Sequence, residues 1–281
     1  MADPVLITGC STGIGRATAE HLADTGRVVY ATARRVDSIS DLEARGCRLL
    51  ALDVTDDASM QDAVAAVEAE QGAVGVLVNN AGYSQSGAVE SVALDQVRRQ
   101  FETNVFGLVR LSQLVLPAMR AQGWGKIVNV SSMGANFTFP GGGIYHATKY
   151  AVDALSDAMR FEVRSFGVDV VIIQPGLIRT QFGDVAATAI DAGTATDGPY
   201  GEFNTRVAET TKSVYEKGPL AKLGGGPEAV AKTIERAIKA RRPKPRYLVT
   251  PSARLLVRQR SLMTDRMWDR FLRSQFPQPG R

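Results

Sequence analysis

Apolar positions along the chain follow two alternating rhythms. Short continuous runs at 4–8, Arg27–Thr32, 47–51, Val74–Asn79, Lys126–Val130 and Val168–Ile173 predict buried strands. Between them lie stretches with helical spacing: 13–25, 57–70 (Ala58, Val64 and Val67), 93–122 and about 144–166. In the longest, Leu94, Val97, Phe101, Val105, Leu108, Leu111 and Val115 trace one apolar stripe, and Asn104 falls on it between Phe101 and Leu108. Pro227 suits the first position of a further helix over 227–240, and 246–249 predicts a last strand. Strands that are apolar throughout and alternate with helices need crossover connections. The expected fold class is therefore α/β, with one doubly wound parallel sheet covered by helices on both faces and 1–281 read as one domain.

Two segments depart from this rhythm. Residues 183–226 are rich in Ala, Thr and Gly and end in Gly224-Gly225-Gly226-Pro227. A segment of this kind is either a lid or a disordered insertion, and its place after a strand end favours a substrate lid. Residues 251–281 read as a basic, amphipathic helical extension, with Leu255, Leu256, Val257, Leu262, Met267, Trp268, Phe271 and Leu272 set among arginines.

Composition narrows the class. Of 281 residues 44% are hydrophobic and 22% charged, the mix of a soluble globular protein. No apolar run approaches the roughly 20 residues that span a bilayer. Met1-Ala2-Asp3-Pro4 leads directly into Val5-Leu6-Ile7 without a basic n-region, so no secretory signal is expected and a cytoplasmic location is. Cys10 and Cys47 read as reduced thiols, and with His21 and His146 the only histidines, no metal site is expected. The net charge of +4 conceals a division, because Pro227–Arg281 holds 14 Lys/Arg against 4 Asp/Glu, or +10, leaving −6 for the rest. Such a tail suits a solvated helix face first and peripheral contact with an anionic membrane second. A nucleic-acid arm has no recognised motif to support it.

Candidate chemistry begins at Thr8-Gly9-Cys10-Ser11-Thr12-Gly13-Ile14-Gly15, which joins the first strand to the first helix. Glycines there permit a tight turn, and the helix N-terminus presents N–H groups and partial positive charge to a pyrophosphate. The second strand ends in Ala33-Arg34-Arg35 with no acid before Asp37. Paired arginines suit a 2′-phosphate, which favours NADP(H); if they are merely solvated, NAD(H) is the alternative. Asp53, followed by Val54, either accepts from an adenine amino group or caps the next helix. Tyr145 and Lys149 share a helix face, and a lysine beside a phenol favours the phenolate needed for acid–base work. Ser131 and Ser132 both sit at a strand end, where a hydroxyl could bond a substrate oxygen. Asn104 is either a satisfied core amide or part of a polar network reaching the site.

These motifs, in this order, resemble the short-chain dehydrogenase/reductase family over residues 4–250. The matching features are T-G-x-x-x-G-I-G at Thr8–Gly15, N-N-A-G at Asn79–Gly82, Asn104, Ser132, Y-x-x-x-K at Tyr145–Lys149, and Pro175-Gly176. The resemblance implies a Rossmann fold and hydride transfer between a nicotinamide cofactor and a secondary alcohol or carbonyl compound. It selects Ser132 over Ser131 by its separation from Tyr145. It assigns Tyr145 as proton donor or acceptor, Lys149 as its tuner and ribose ligand, Ser132 as carbonyl polariser and Asn104 as anchor of a relay water. Asn80, Ala81 and Gly82 would line the adenosine side, and Pro175, Gly176, Ile178 and Thr180 would border the nicotinamide. Thr8-Gly9-Cys10-Ser11 and Thr32-Ala33-Arg34 look most like the 17-beta-hydroxysteroid and retinol dehydrogenase branch, which implies that Ser11 and Arg34 touch a 2′-phosphate. A homo-dimer or homo-tetramer is implied in the same way, whereas the apolar content at the lid, with Phe182, Tyr200 and Phe203, suggests a lipophilic, steroid-, retinoid- or fatty-like small-molecule substrate. The rival outside enzymology, a nucleotide-sensing protein on this fold, would be expected to lack part of the Asn104–Ser132–Tyr145–Lys149 set.

Overall fold

The computed structural model describes residues 3–180, 198–216, 219–276 and 278–279. Seven parallel strands form one sheet: β1 (Val5–Ile7), β2 (Val29–Ala33), β3 (Arg48–Ala51), β4 (Val76–Asn79), β5 (Gly125–Val130), β6 (Val168–Gln174) and β7 (Arg246–Leu248). Their order is β3-β2-β1-β4-β5-β6-β7, so the winding reverses between β1 and β4. A crevice opens beyond the C-terminal ends of strands at such a switch point.

The central strands β1, β4, β5 and β6 are largely apolar on both faces because both faces are covered. Val5 and Ile7 of β1 pack with Val76, Val78, Val128 and Val171 beneath α1 (Gly13–Asp24) and a late helix, Pro227–Lys239. Leu6, Leu77, Ile127 and Val170 point the other way, towards α2 (Asp57–Gln71) and the long helices. The expected doubly wound architecture is the one observed.

The stretch 93–122 is more than one helix. It runs as α3 (Leu94–Phe101), a π-helical turn at Glu102–Phe106, and α4 (Gly107–Gln122). The extra residue in the wider turn rotates α3 relative to α4. Val105, Leu108, Leu111 and Val115 are buried as expected, whereas Leu94 is 59% exposed and Gln100 is fully buried in its stead. The single apolar stripe is thus correct for α4 and out of phase for α3. Gly107 lets the helix approach the loop after β3, since a Cβ there would stand 2.3 Å from the Val54 carbonyl oxygen.

After α5 (Gly143–Val163) and β6, the described part of 183–226 is largely helical: α6 (Gly201–Glu216) and α7 (Pro219–Lys222). Phe182 and 183–197 lie outside the described residues. Next come α8 (Pro227–Lys239) and β7, then α9 (Pro251–Ser261) and α10 (Asp265–Arg273). The last two close on Met133, Phe137 and Leu177 through Ala253, Leu256 and Trp268. Gly176 permits this docking, because a Cβ there would meet the Thr250 hydroxyl at 2.2 Å. A 3-10 stretch, Val36–Arg45, connects β2 to β3 where the sequence pattern predicted no element.

Candidate active site

The glycine turn has the geometry its sequence requires. Gly9 and Gly13 adopt φ of +73° and +60°, which favour glycine. A Cβ on Gly15 would fall 2.3 Å from the Gly9 carbonyl oxygen, so Gly15 serves close packing and does not line the cleft. Thr12, which precedes α1, makes no side-chain cap, and a helix N-terminus of this kind suits an anion. The turn is braced from β4: Asn80 Nδ2 donates to Thr8 O at 2.9 Å, and Thr8 Oγ1 accepts from the N–H groups of Asn80 and Ala81, each at 2.9 Å.

A cleft of about 960 Å³ runs from this turn across the strand ends. Gly9, Ser11, Thr12, Gly13, Ile14, Arg34, Asp53, Val54, Asn80, Ala81 and Gly82 line it, as do Ser132, Tyr145, Lys149, Pro175, Gly176, Ile178 and Thr180. Arg34 is exposed and makes no ion pair among the described residues. Arg35 is exposed and lies outside the lining. Neighbours in extended backbone point to opposite sides, which is why adjacency in sequence did not become adjacency in the cleft. Asp53 does not cap α2; Asp56 does, accepting from the N–H groups of Ala58 and Ser59. Asp53 Oδ1 instead accepts from the Thr55 N–H at 2.9 Å and the Thr55 hydroxyl at 2.8 Å.

Lys149 is 6% exposed, and its Nζ donates to the Val130 carbonyl at 2.9 Å. Burial pulls its ammonium down to about 8, against the charge of Asp153 one turn on, which raises it. The same Nζ sits 5.7 Å from the centre of the Tyr145 ring. Ser132 Oγ accepts from the Gly134 N–H at 3.0 Å and borders the cleft. Ser131 is buried, with its hydroxyl 3.5 Å from the Lys149 carbonyl.

Asn104 lies behind the cleft wall and resolves as a bridge. Its Nδ2 donates to Tyr83 O at 2.9 Å and to Thr148 Oγ1 at 3.1 Å, while its Oδ1 accepts from the Tyr83 N–H at 3.1 Å. Gln100 grips the same loop, donating to Tyr83 O at 2.9 Å and accepting from Gln85 N at 3.2 Å. The π-helical turn brings both amides to one loop. A Cβ on Gly82 would lie 3.1 Å from Asn104 Oδ1 and 3.8 Å from Lys149 Nζ, so Gly82 keeps a gap open between them.

Other site residues were not apparent in the sequence. His146 Nδ1 lies 2.8 Å from Gly134 O, and its Nε2 is 3.5 Å from the Phe139 N–H, fixing the loop that carries Ser132. Burial lowers the His146 pKa, which favours the neutral ring this pairing needs. Asp153 accepts from Gln174 Nε2 at 2.7 Å and pairs with Arg246 at 3.5 Å. The far side of the cleft is apolar, with Phe137, Phe139, Val207, Leu256, Phe271 and Phe276. The amphipathic pattern of 251–281 identified Leu256 and Phe271 as apolar positions but not as cleft wall, and did not include Phe276.

A parallel, doubly wound sheet with a glycine turn at its switch point and a hydroxyl–phenol–ammonium set across the crevice defines an NAD(P)-dependent dehydrogenase or reductase. A family model described as short chain dehydrogenase matches residues 3–189, and the chain belongs to that family. The 3-ketodihydrosphingosine reductase of Bacteroides thetaiotaomicron is 41% identical over 181 residues, 64% of this chain and 65% of that protein. The NADPH-dependent 3-dehydrocapnine reductase of Ornithobacterium rhinotracheale is 34% identical over 274 residues, 94% of each chain. The crystal structure of a short-chain dehydrogenase from Streptomyces avermitilis superposes with a TM-score of 0.79 at 34% identity, covering 98% of this chain and 99% of that one.

Proposed function

We propose that the chain is an NADP(H)-dependent reductase of lipophilic ketones, with Tyr145 as the proton donor. The carrying observation is that Ser132, Tyr145 and Lys149 face one cleft together with the glycine turn at α1. The turn fits a dinucleotide, because its backbone occupies glycine conformations and its helix N-terminus is uncapped by Thr12. Ser11, Thr12, Gly13 and Ile14 would hold the pyrophosphate, Arg34 and Ser11 the 2′-phosphate, and Asp53 and Val54 the adenine. Asn80, Ala81 and Gly82 would line the adenosine side, and Pro175, Gly176, Ile178 and Thr180 the nicotinamide. The bound cofactor supplies the hydride to the carbonyl carbon.

The protein's own groups manage the oxygen. The Tyr145 hydroxyl gives its proton to the carbonyl oxygen as negative charge develops there. Ser132 donates a hydrogen bond to the same oxygen from the strand end. Lys149, still largely protonated at neutral pH, stabilises the phenolate that Tyr145 becomes. Asn104 holds Thr148 and the Tyr83 loop in register, and the gap at Gly82 suits a water that returns a proton towards Lys149.

The aromatic and aliphatic wall supports a lipophilic substrate. Two relatives named as reductases of 3-ketodihydrosphingosine and 3-dehydrocapnine favour the reductive direction, and the second is named as NADPH-dependent. Tyr145→Phe should abolish NADPH consumption on a long-chain ketone; activity near that of the unaltered protein would overturn the assignment. Fluorescence titration should show NADPH bound more tightly than NADH, and equal affinities would defeat the Arg34 reading. Exposed Phe106, Leu155 and Phe161, the last 89% exposed, support a homo-oligomer through the π-helical turn and α5, checked by light scattering.

A further inference from the structure

Helices α9 and α10 have two working faces. Inward, Leu256 and Phe271 form part of the cleft wall, and Ala253 and Trp268 anchor the pair to Phe137 and Leu177. Outward, the two helices repeat one pattern, Arg-apolar-x-x-Arg: Arg254-Leu255 with Arg258, and Arg266-Met267 with Arg270. All six are exposed, as is Leu262 at the turn between the helices, 75% accessible. At 100° per residue the arginines and apolar residues of each repeat occupy one outward arc. Arg273 extends it.

These arginines have no ion-pair partner among the described residues. Asp265 is engaged by Arg260 at 2.5 Å, and Asp269 is the acidic residue left on the outer surface of α10. The face is therefore basic, studded with exposed aliphatic side chains, and mounted on the wall of an apolar cleft. Arginine heads with apolar residues between them match the headgroup boundary of an anionic bilayer: phosphates take the guanidinium groups, and acyl chains take Leu255, Leu262 and Met267. A nucleic acid would satisfy the arginines and leave the apolar residues in water.

We propose that the outer face of α9 and α10 docks the protein on anionic membrane surfaces. The proposal rests on the reading of the substrate as lipophilic, because docking serves a substrate that resides in the bilayer. Docking places the cleft wall formed by Leu256 and Phe271 one helix thickness from the acyl region.

The test is co-sedimentation of the full chain, without substrate, on phosphatidylcholine vesicles with and without about a third phosphatidylglycerol. Binding to the anionic vesicles, weak binding to the neutral ones and weakening by salt are expected. The combined variant Arg254→Gln, Arg258→Gln, Arg266→Gln, Arg270→Gln should lower the partition coefficient by at least about tenfold, at about fivefold per arginine before losses to screening. Leu262→Ser with Met267→Ser should also lower it while leaving salt dependence intact. Turnover of a short, water-soluble ketone should be unchanged in both variants. Equal sedimentation of the unaltered protein on neutral and anionic vesicles would overturn the proposal. So would full retention by the arginine variant, or duplex DNA outcompeting the vesicles at equal phosphate. Membrane binding without preference for long-chain over short ketones would instead defeat the substrate reading and leave docking standing.

Discussion

Beneath Tyr145 and Lys149 the protein is held by directional bonds, whereas the wall across the cleft is held by apolar and aromatic contact. On the first side, Asn79 Nδ2 donates to Asn129 Oδ1 at 2.9 Å, and Asn129 Nδ2 donates to Ser156 Oγ at 2.8 Å, tying β4, β5 and α5 inside the core. Lys149, Asp153 and Gln174 continue that framework to β6. On the second side, Phe137 lies 5.6 Å from Trp268, Trp268 5.1 Å from Phe271, and Phe139 6.3 Å from Phe276. Hydrogen bonds fix angles, and proton transfer needs fixed angles. Apolar contact fixes volume and tolerates changes of shape, which suits a wall that grades substrates by size.

The comparison breaks most sharply at Lys149. Lys149→Met should cut turnover by about a thousandfold while circular dichroism stays native, since acid–base tuning contributes on the order of 10²–10⁴. Next comes Asn129→Ala, which removes the bridge between Asn79 and Ser156 in the core and leaves Asn79 Nδ2 with Ser112 Oγ at 3.4 Å. It should cost roughly 1–3 kcal/mol in urea unfolding, with turnover falling alongside. On the opposite wall, Phe271→Ala should raise KM for long-chain ketones by about tenfold and leave kcat on short ones nearly unchanged. A uniform fall in kcat would mean that this wall also orients the reacting atoms.

The smallest effect is in pH, and its sign separates chemistry from stability. With Lys149 at about 8, the reductive rate should decline as pH rises through that value, because the cation opposite Tyr145 is lost. A flat profile would remove Lys149 from the tuning role. Stability moves the other way: between about 8 and the ordinary 10.5, the unfolded chain keeps a proton that the folded chain has released. The contribution of this group to folding therefore rises with pH across that window.

What could be read in advance divides along the same line. The glycine turn, Ser132, Tyr145 and Lys149 were legible because each is a local pattern whose geometry follows from one turn or one helix. The strands were legible because burial on both faces leaves continuous apolar runs. His146 and Asp153 were not, since each acquires meaning only from a carbonyl or amide brought over from another element. The cleft wall from α9 and α10 was half legible: the apolar arc showed that something would be covered, and long-range packing determined what. Arg34 lines the cleft and the exposed Arg35 does not, a difference that two adjacent letters cannot express. The stripe of α3 misled because no side-chain pattern announces one additional residue in a helical turn.

That additional residue makes the helix intolerant of a kind of change that substitution scans never sample. Deleting one position between Glu102 and Phe106 would restore a regular helix and swing α3 by about 100° relative to α4. Gln100 would leave the Tyr83 loop, and Leu94 would turn inward, even though every amino acid named in the site was still present. The length of this segment, as much as its lettering, is part of the catalytic specification.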